Sequence, residues 1–128
     1  MFTGVHHVGY LVSDLDETIK RYEELYGGKV ELRFYNEKTK SKIAFVASGD
    51  TRVELMEPDD KSLLGGSKDQ VIHHVGYLVP DIEKAMAELR ARGARFIDEK
   101  PSTNALGWKI AYFDGGPMLG VRQHLSQY

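Results

Sequence analysis

The residues of this chain with the most obvious capacity for chemistry are its five histidines, His6, His7, His73, His74 and His124. Four of them form two His-His pairs. Alternation along an extended segment sends the members of a pair to opposite faces. His7 shares its face with Val5, Gly9 and Leu11. His6 goes with Val8, Tyr10 and Val12, the bulkier face, which suits packing under a helix. Gly9 and Gly76 leave space beside His7 and His74, so these two are the expected cavity pair. Glu54 is a carboxylate between Val53 and Leu55, and His124 precedes Leu125 as Glu54 precedes Leu55. His7, Glu54, His74 and His124 together make an N/O donor set for one divalent ion. Zn²⁺ is the default, and Co²⁺, Ni²⁺, Mn²⁺ or Fe²⁺ also fit. A slip of one residue in the last segment would present Gln123 instead of His124. The alternative is a bare cavity whose histidines persist because they pack.

The elements that must position these residues come in duplicate. Residues 6–16 read HHVGYLVSDLD and residues 73–83 read HHVGYLVPDIE, identical at 8 of 11 positions. The chain is therefore read as one domain, 1–128, built from module 4–58 and module 70–126, with a polar, Gly-rich linker at 59–69. Fewer than about 60 residues make a marginal core alone, so the two modules are expected to pack together. Each opens with a strand, Val5–Val12 in the first. Asp14 then caps a helix, with Glu17 completing a capping box. Leu15, Ile19, Tyr22 and Leu25/Tyr26 form its apolar stripe, and Gly27-Gly28 ends it. In the second module Asp81 is the cap, Ile82, Ala85, Met86 and Leu89 the stripe, and Gly93 the stop. Three strands follow each helix: Lys29–Phe34, Lys42–Ala47 and Thr51–Met56, then Ala94–Ile97, Trp108–Phe113 and Leu119–Leu125, with a turn at Asp114–Pro117. The expected fold is α+β, two tandem βαβββ modules whose mixed sheets curve around one shared cavity.

Composition narrows the function. Lys+Arg 17 against Asp+Glu 19 gives a formal net charge of -2, which offers no electrostatic footprint for nucleic acid. No apolar run approaches the roughly 18 residues of a membrane span. Cys is absent, so disulfides, Cys-bound zinc, iron–sulfur clusters and thiol nucleophiles are excluded. Met1-Phe2-Thr3-Gly4 lacks a secretory pattern, and a cytoplasmic location is expected. Arg33, Lys38, Lys40, Lys42 and Arg52 cluster along the first module; they could hold an anion, and a solvated face is the plainer reading. Arg122, two positions before His124, shares its face and could clamp a substrate carboxylate. Trp108 follows Gly107 and could cover the cavity as a lid or fill the core.

Paired βαβββ modules carrying His6-His7-Val8-Gly9, Val53-Glu54-Leu55-Met56-Glu57-Pro58 and Ile72-His73-His74-Val75 resemble the vicinal oxygen chelate superfamily of glyoxalases, bleomycin-resistance proteins and dioxygenases. The resemblance spans nearly the whole chain and is strongest to methylmalonyl-CoA epimerase-like and glyoxalase I-like proteins. Pro101–Tyr112 is similar to the epimerase pattern P-x-x-G-A-x-G-x-K-V-A-F, with Asn104 where Gly is usual. The resemblance implies that His7, Glu54 and His74 are metal ligands. It puts His124 at a fourth ligand position where the epimerases carry a Glu that also serves as base. It puts a second catalytic carboxylate near Asn36–Ser41, where a gapless count gives Lys38, with Glu37 beside it. His124 and Glu37 are thus the candidate acid/base residues.

These residues imply a divalent-metal-dependent isomerase or lyase that takes a proton from beside a carbonyl. Its substrate would be an acyl-CoA thioester or the thiol adduct of a 2-oxoaldehyde, and the resemblance and open sheet edges imply a homodimer. The competing class is a non-catalytic protein of the same fold that sequesters a small ligand. A ring-cleaving iron dioxygenase would also use two His and one carboxylate, but such enzymes are much longer.

Overall fold

The structure is a computed structural model, and it describes residues 1–116 and 121–128. The chain forms two compact units, His7–His73 and Met1–His6 with His74–Tyr128. The first contains most of β1 (Gly4–Val12), α1 (Leu15–Tyr26), β2 (Lys29–Asn36), β3 (Ser41–Ser48) and β4 (Thr51–Pro58). The second contains the end of β5 (Gln70–Leu78), α2 (Ile82–Ala91), β6 (Arg95–Phe96), β7 (Ser102–Thr103), β8 (Lys109–Asp114) and β9 (Arg122–Gln127). The α+β class and the duplicated βαβββ order are as the sequence implies.

Each sheet is mixed. In the first unit the strand order is β2-β3-β4-β1, with β1 and β4 parallel and the other pairs antiparallel. In the second, β5 and β9 are parallel, β8 is antiparallel to β9, and β6 and β7 pair with β8. The short β7 is an addition to the expected plan. The predicted linker contains a 3₁₀ turn at Lys61–Leu64. The predicted last turn and last strand run through Pro117 and Leu119, which lie outside the described residues; β9 is described from Arg122.

Local chemistry explains both helices. Asp14 is extended and its Oδ1 accepts from the Glu17 N–H; Asp81 does the same for Lys84. Gly27 ends α1 in the left-handed region at φ 64°. A Cβ on Gly28 would lie 2.7 Å from the Val46 side chain, so the chain leaves the helix through a space only glycine fits. Under α1, Val12, Leu15, Ile19, Ala44, Val46, Val53 and Leu55 form one core. Under α2, Val79, Ile82, Ala85, Met86, Ala111, Phe113 and Leu125 form another. Among the described residues no helix is long and apolar enough to cross a membrane.

The last strand of each copy also holds the start of that copy's helix. Glu57 Oε1 accepts from the Leu15 N–H at 2.8 Å, and Gln127 Oε1 accepts from the Ile82 N–H at 2.7 Å. Both satisfy an N–H that the helix itself leaves open. The Glu57 carboxylate also pairs with Lys61 at 3.1 Å and Lys42 at 3.7 Å. Partial burial acts to raise its pKa, but the Leu15 N–H and the two ammonium groups outweigh this and hold it below the ordinary value. A carboxylate whose pKa is lowered on folding contributes stability above its unfolded pKa and loses it as pH falls through the folded one. Glu57→Ala is therefore expected to cost about 1–2 kcal/mol at pH 7. The gap from wild type should narrow as pH falls below the ordinary carboxylate value, to that left by a neutral acceptor for the Leu15 N–H. Glu57→Gln, which keeps the acceptor that Gln127 already provides in the second copy, should cost less. Urea unfolding of the three proteins at a series of pH values checks both points.

Candidate metal centre

The ladder fixes which side chains face away from the helices. In the first unit Gly9 lies opposite Glu54, and Glu54 opposite Phe45. The flanking residues Val53 and Leu55 belong to the core under α1, so Glu54 points to the other face. There His7 Nε2 stands 3.5 Å from Glu54 Oε1, and the edge of Phe45 meets the His7 ring at 5.8 Å between centroids. His7 is 1% exposed and the Glu54 side chain 12%.

The second unit repeats the arrangement with different chemistry. Gly76 lies opposite His124, and His124 opposite Tyr112. Gln123 lies opposite Phe113, which is in the core under α2, so His124 and not Gln123 faces away from the helix. The His74 and His124 rings stand 4.8 Å apart at 67°, and both side chains are buried. Tyr112 lies against both, 4.7 Å from His124 and 5.9 Å from His74. The first unit thus brings a buried imidazole to a half-buried carboxylate, and the second brings two buried imidazoles together. Neutral imidazole nitrogens and one carboxylate are the donors that Zn²⁺ and its first-row neighbours accept. The residues present fit such an ion.

Other expected residues fall elsewhere. Glu37 lies on the exposed turn after β2, where its carboxylate pairs with Lys40 at 3.3 Å. It stands five residues along from Leu32, the β2 residue in the row of Phe45 and Glu54. At about 3.3 Å per residue that is at most roughly 16 Å along the chain. The Lys38 N–H donates to Asn36 Oδ1 in the same turn. His6 does not pack under α1 as the alternation suggested. It is buried against the edge of Trp108, at 4.3 Å, and against Tyr128, at 4.9 Å. Trp108 is 9% exposed, held between His6 and Tyr128 as a packing residue would be. The cationic cluster is largely neutralised: Arg33 by Asp16, Lys40 by Glu37, Lys42 by Glu57 and Arg52 by Glu31. Arg122 lies opposite His74 in the ladder and is exposed. Tyr112 is the residue that sequence reasoning passed over. Its signal was present: it follows Phe45 by the same 67 positions that separate His7 from His74.

Comparison with known proteins follows the same lines. Residues 6–112 match the family model of the glyoxalase/bleomycin resistance protein/dioxygenase superfamily. An uncharacterised protein of Bacillus subtilis, YwbC, is 29% identical over 118 residues, covering 90% of this chain and 91% of that one. The mitochondrial methylmalonyl-CoA epimerase of Dictyostelium discoideum is 28% identical over 128 residues, covering 96% and 77%. A solved methylmalonyl-CoA epimerase structure superposes with a TM-score of 0.86 at 27% identity, covering 100% of this chain and 97% of that one.

Proposed function

The chain belongs to the glyoxalase/bleomycin resistance protein/dioxygenase superfamily, and from that premise we propose that it is a divalent-metal-dependent, epimerase-like enzyme. The reaction is removal and return of a proton beside a carbonyl. The observation that carries this reading is the repeated ladder row, Gly9-Glu54 in one copy and Gly76-His124 in the other, each beside a buried histidine of the HHVGY motif.

His7, Glu54 and His74 would hold the ion, and His124 would stand free of it as the base. The bound ion, Zn²⁺ by default, supplies Lewis-acid polarisation of the substrate carbonyl oxygen. The remaining work falls to side chains. A neutral imidazole that stands off the ion has one unprotonated nitrogen, and through it His124 accepts the α-proton and returns a proton to the carbon. Tyr112, tilted at 38° against the His124 ring, orients that imidazole. Glu37 has no part in this scheme, because its carboxylate is exposed and paired with Lys40. The substrate is an acyl-CoA thioester, as the named relatives suggest, or a thiol adduct of a 2-oxoaldehyde, and the working form is a homodimer.

One observation favours a second reading, a non-catalytic protein that sequesters a small ligand. Glu37, the carboxylate that the family resemblance offered as an acid/base residue, is paired with Lys40 and exposed. A single experiment separates the two. Methylmalonyl-CoA and a hemithioacetal are incubated in D₂O with protein that has been stripped of metal and then reloaded. The enzyme reading expects deuterium at the α-carbon of one of them, only with reloaded protein. Absence of metal-dependent exchange with both would select the binding protein.

A further inference from the structure

A cavity of about 350 Å³ runs beside α1, between the helix and residues 69–70, wholly within the first unit. Glu54 faces away from α1, so the proposed reaction makes no use of this space. At the C-terminal end of the helix the cavity is lined by Tyr22, Leu25 and Tyr26. The two tyrosine rings stand 5.4 Å apart, tilted at 44°. Gln70 Nε2 donates to the Tyr22 hydroxyl at 3.5 Å and steadies that ring. Leu25 and Tyr26 are 59% and 63% exposed, so neither is held by the core. The rest of the lining is acidic. Asp14 is spent on the helix cap. Among the described residues no ion pair engages Glu17 or Asp69. Arg21, the cation of the lining, is held by Glu24 at 3.4 Å.

The second copy shows that the fold does not require these residues. At the positions 67 later it has Lys84 for Glu17, Leu89 for Tyr22, Arg92 for Leu25 and Gly93 for Tyr26. Its helix is nevertheless capped in the same way, by Asp81, and covers a core of the same size. The aromatic pair, the exposed leucine and the unmatched acid belong to the first copy alone, and packing does not account for them.

We propose that this cavity binds an organic ammonium ion, a protonated amine on an apolar arm. The faces of Tyr22 and Tyr26 attract the cation. Glu17 and Asp69 neutralise it, and Leu25 covers the arm. The volume is at the small end of ligand sites. It suits one small amine, or the single lysine side chain of another protein. The site stands apart from the metal centre and from the reaction proposed there.

The test is an NMR titration of isotope-labelled protein with phenethylammonium chloride and with phenylacetate, its anionic counterpart. Phenethylammonium should shift the amide signals of Tyr22, Tyr26 and Gln70 saturably, and phenylacetate should not. Tyr26→Ala should weaken the amine about fivefold, as should Glu17→Gln combined with Asp69→Asn. Glu83→Gln, an exposed acid of the other unit, should leave it unchanged within about twofold. The amide spectrum of each variant shows that it is folded. Equal binding of phenylacetate overturns the proposal. So does wild-type affinity in either lining variant, or no saturable shift with millimolar amine. A further titration with Nα-acetyl-lysine amide identifies the source. Tighter binding than phenethylammonium assigns the site to a protein-borne lysine, and weaker binding to a free amine. No arm depends on metal, so this proposal and the enzyme reading fail separately.

Discussion

Replacing His124 by alanine is expected to lower metal-dependent α-proton exchange by about 10²–10⁴-fold, the range that a positioned acid–base group commands. The protein should keep its ion, because His7, Glu54 and His74 remain, and two His with one carboxylate is a sufficient set for catalytic zinc. His124→Glu restores a carboxylate in the corresponding place and should recover much of the exchange. Exchange rates by mass spectrometry and metal content by elemental analysis are measured on the same samples. If His124→Ala exchanges at the wild-type rate while binding one ion, His124 is not the proton acceptor. If His124→Ala loses the ion altogether, His124 is a ligand and not the base.

The second large effect concerns the ion itself. Wild type should bind one equivalent per chain, and His7→Ala or His74→Ala should lose tight binding. The drop should exceed the 10–100-fold typical of an outer partner that merely orients a ligand. His6→Ala is the internal control, one residue away on the opposite face. It should retain the ion and lose stability instead, by about 2 kcal/mol, because the ring fills a space between Trp108 and Tyr128. Metal titration beside urea unfolding separates these outcomes. Loss of metal in His6→Ala with retention in His7→Ala would reverse the assignment of faces.

Much of this architecture was readable from residues alone, for identifiable reasons. Seven consecutive identical residues at the head of each copy reveal the duplication, and Asp14 and Asp81 mark helix starts because their side chains cap at fixed spacing. Alternation separated His7 from His6. It gives a face and never a partner, however, so the contacts of His6 with Trp108 and Tyr128, more than 100 residues away, were invisible. The cations were plain but their acidic partners Asp16 on α1 and Glu31 on β2 were not, since ion pairs between elements depend on how those elements pack. Strand β8 begins one residue later than its pattern suggests. Asn104 Oδ1 accepts from the N–H groups of Leu106 and Trp108 and draws the Trp108 backbone into the preceding turn. Ser102–Thr103 is too short for any periodicity to declare it. Counting without gaps put Glu37 near a catalytic position, but a count along the chain carries no distance, and the β2–β3 turn carries that residue away from the Glu54 row.

The parallel pairing of β1 with β4 has a consequence for the order of folding. The strands β2, β3 and β4 are successive antiparallel neighbours joined by short turns, and such local contacts form early. β1 must instead close a loop of more than 40 residues before Val8 meets Val53. It should therefore dock late. His7 lies on β1 and Glu54 on β4, so this donor pair comes into being only when the slowest ladder of the first unit is complete. An ion that binds this pair discriminates between finished and unfinished chains and stabilises only the former. The residues that would perform the chemistry would then also report that folding has ended.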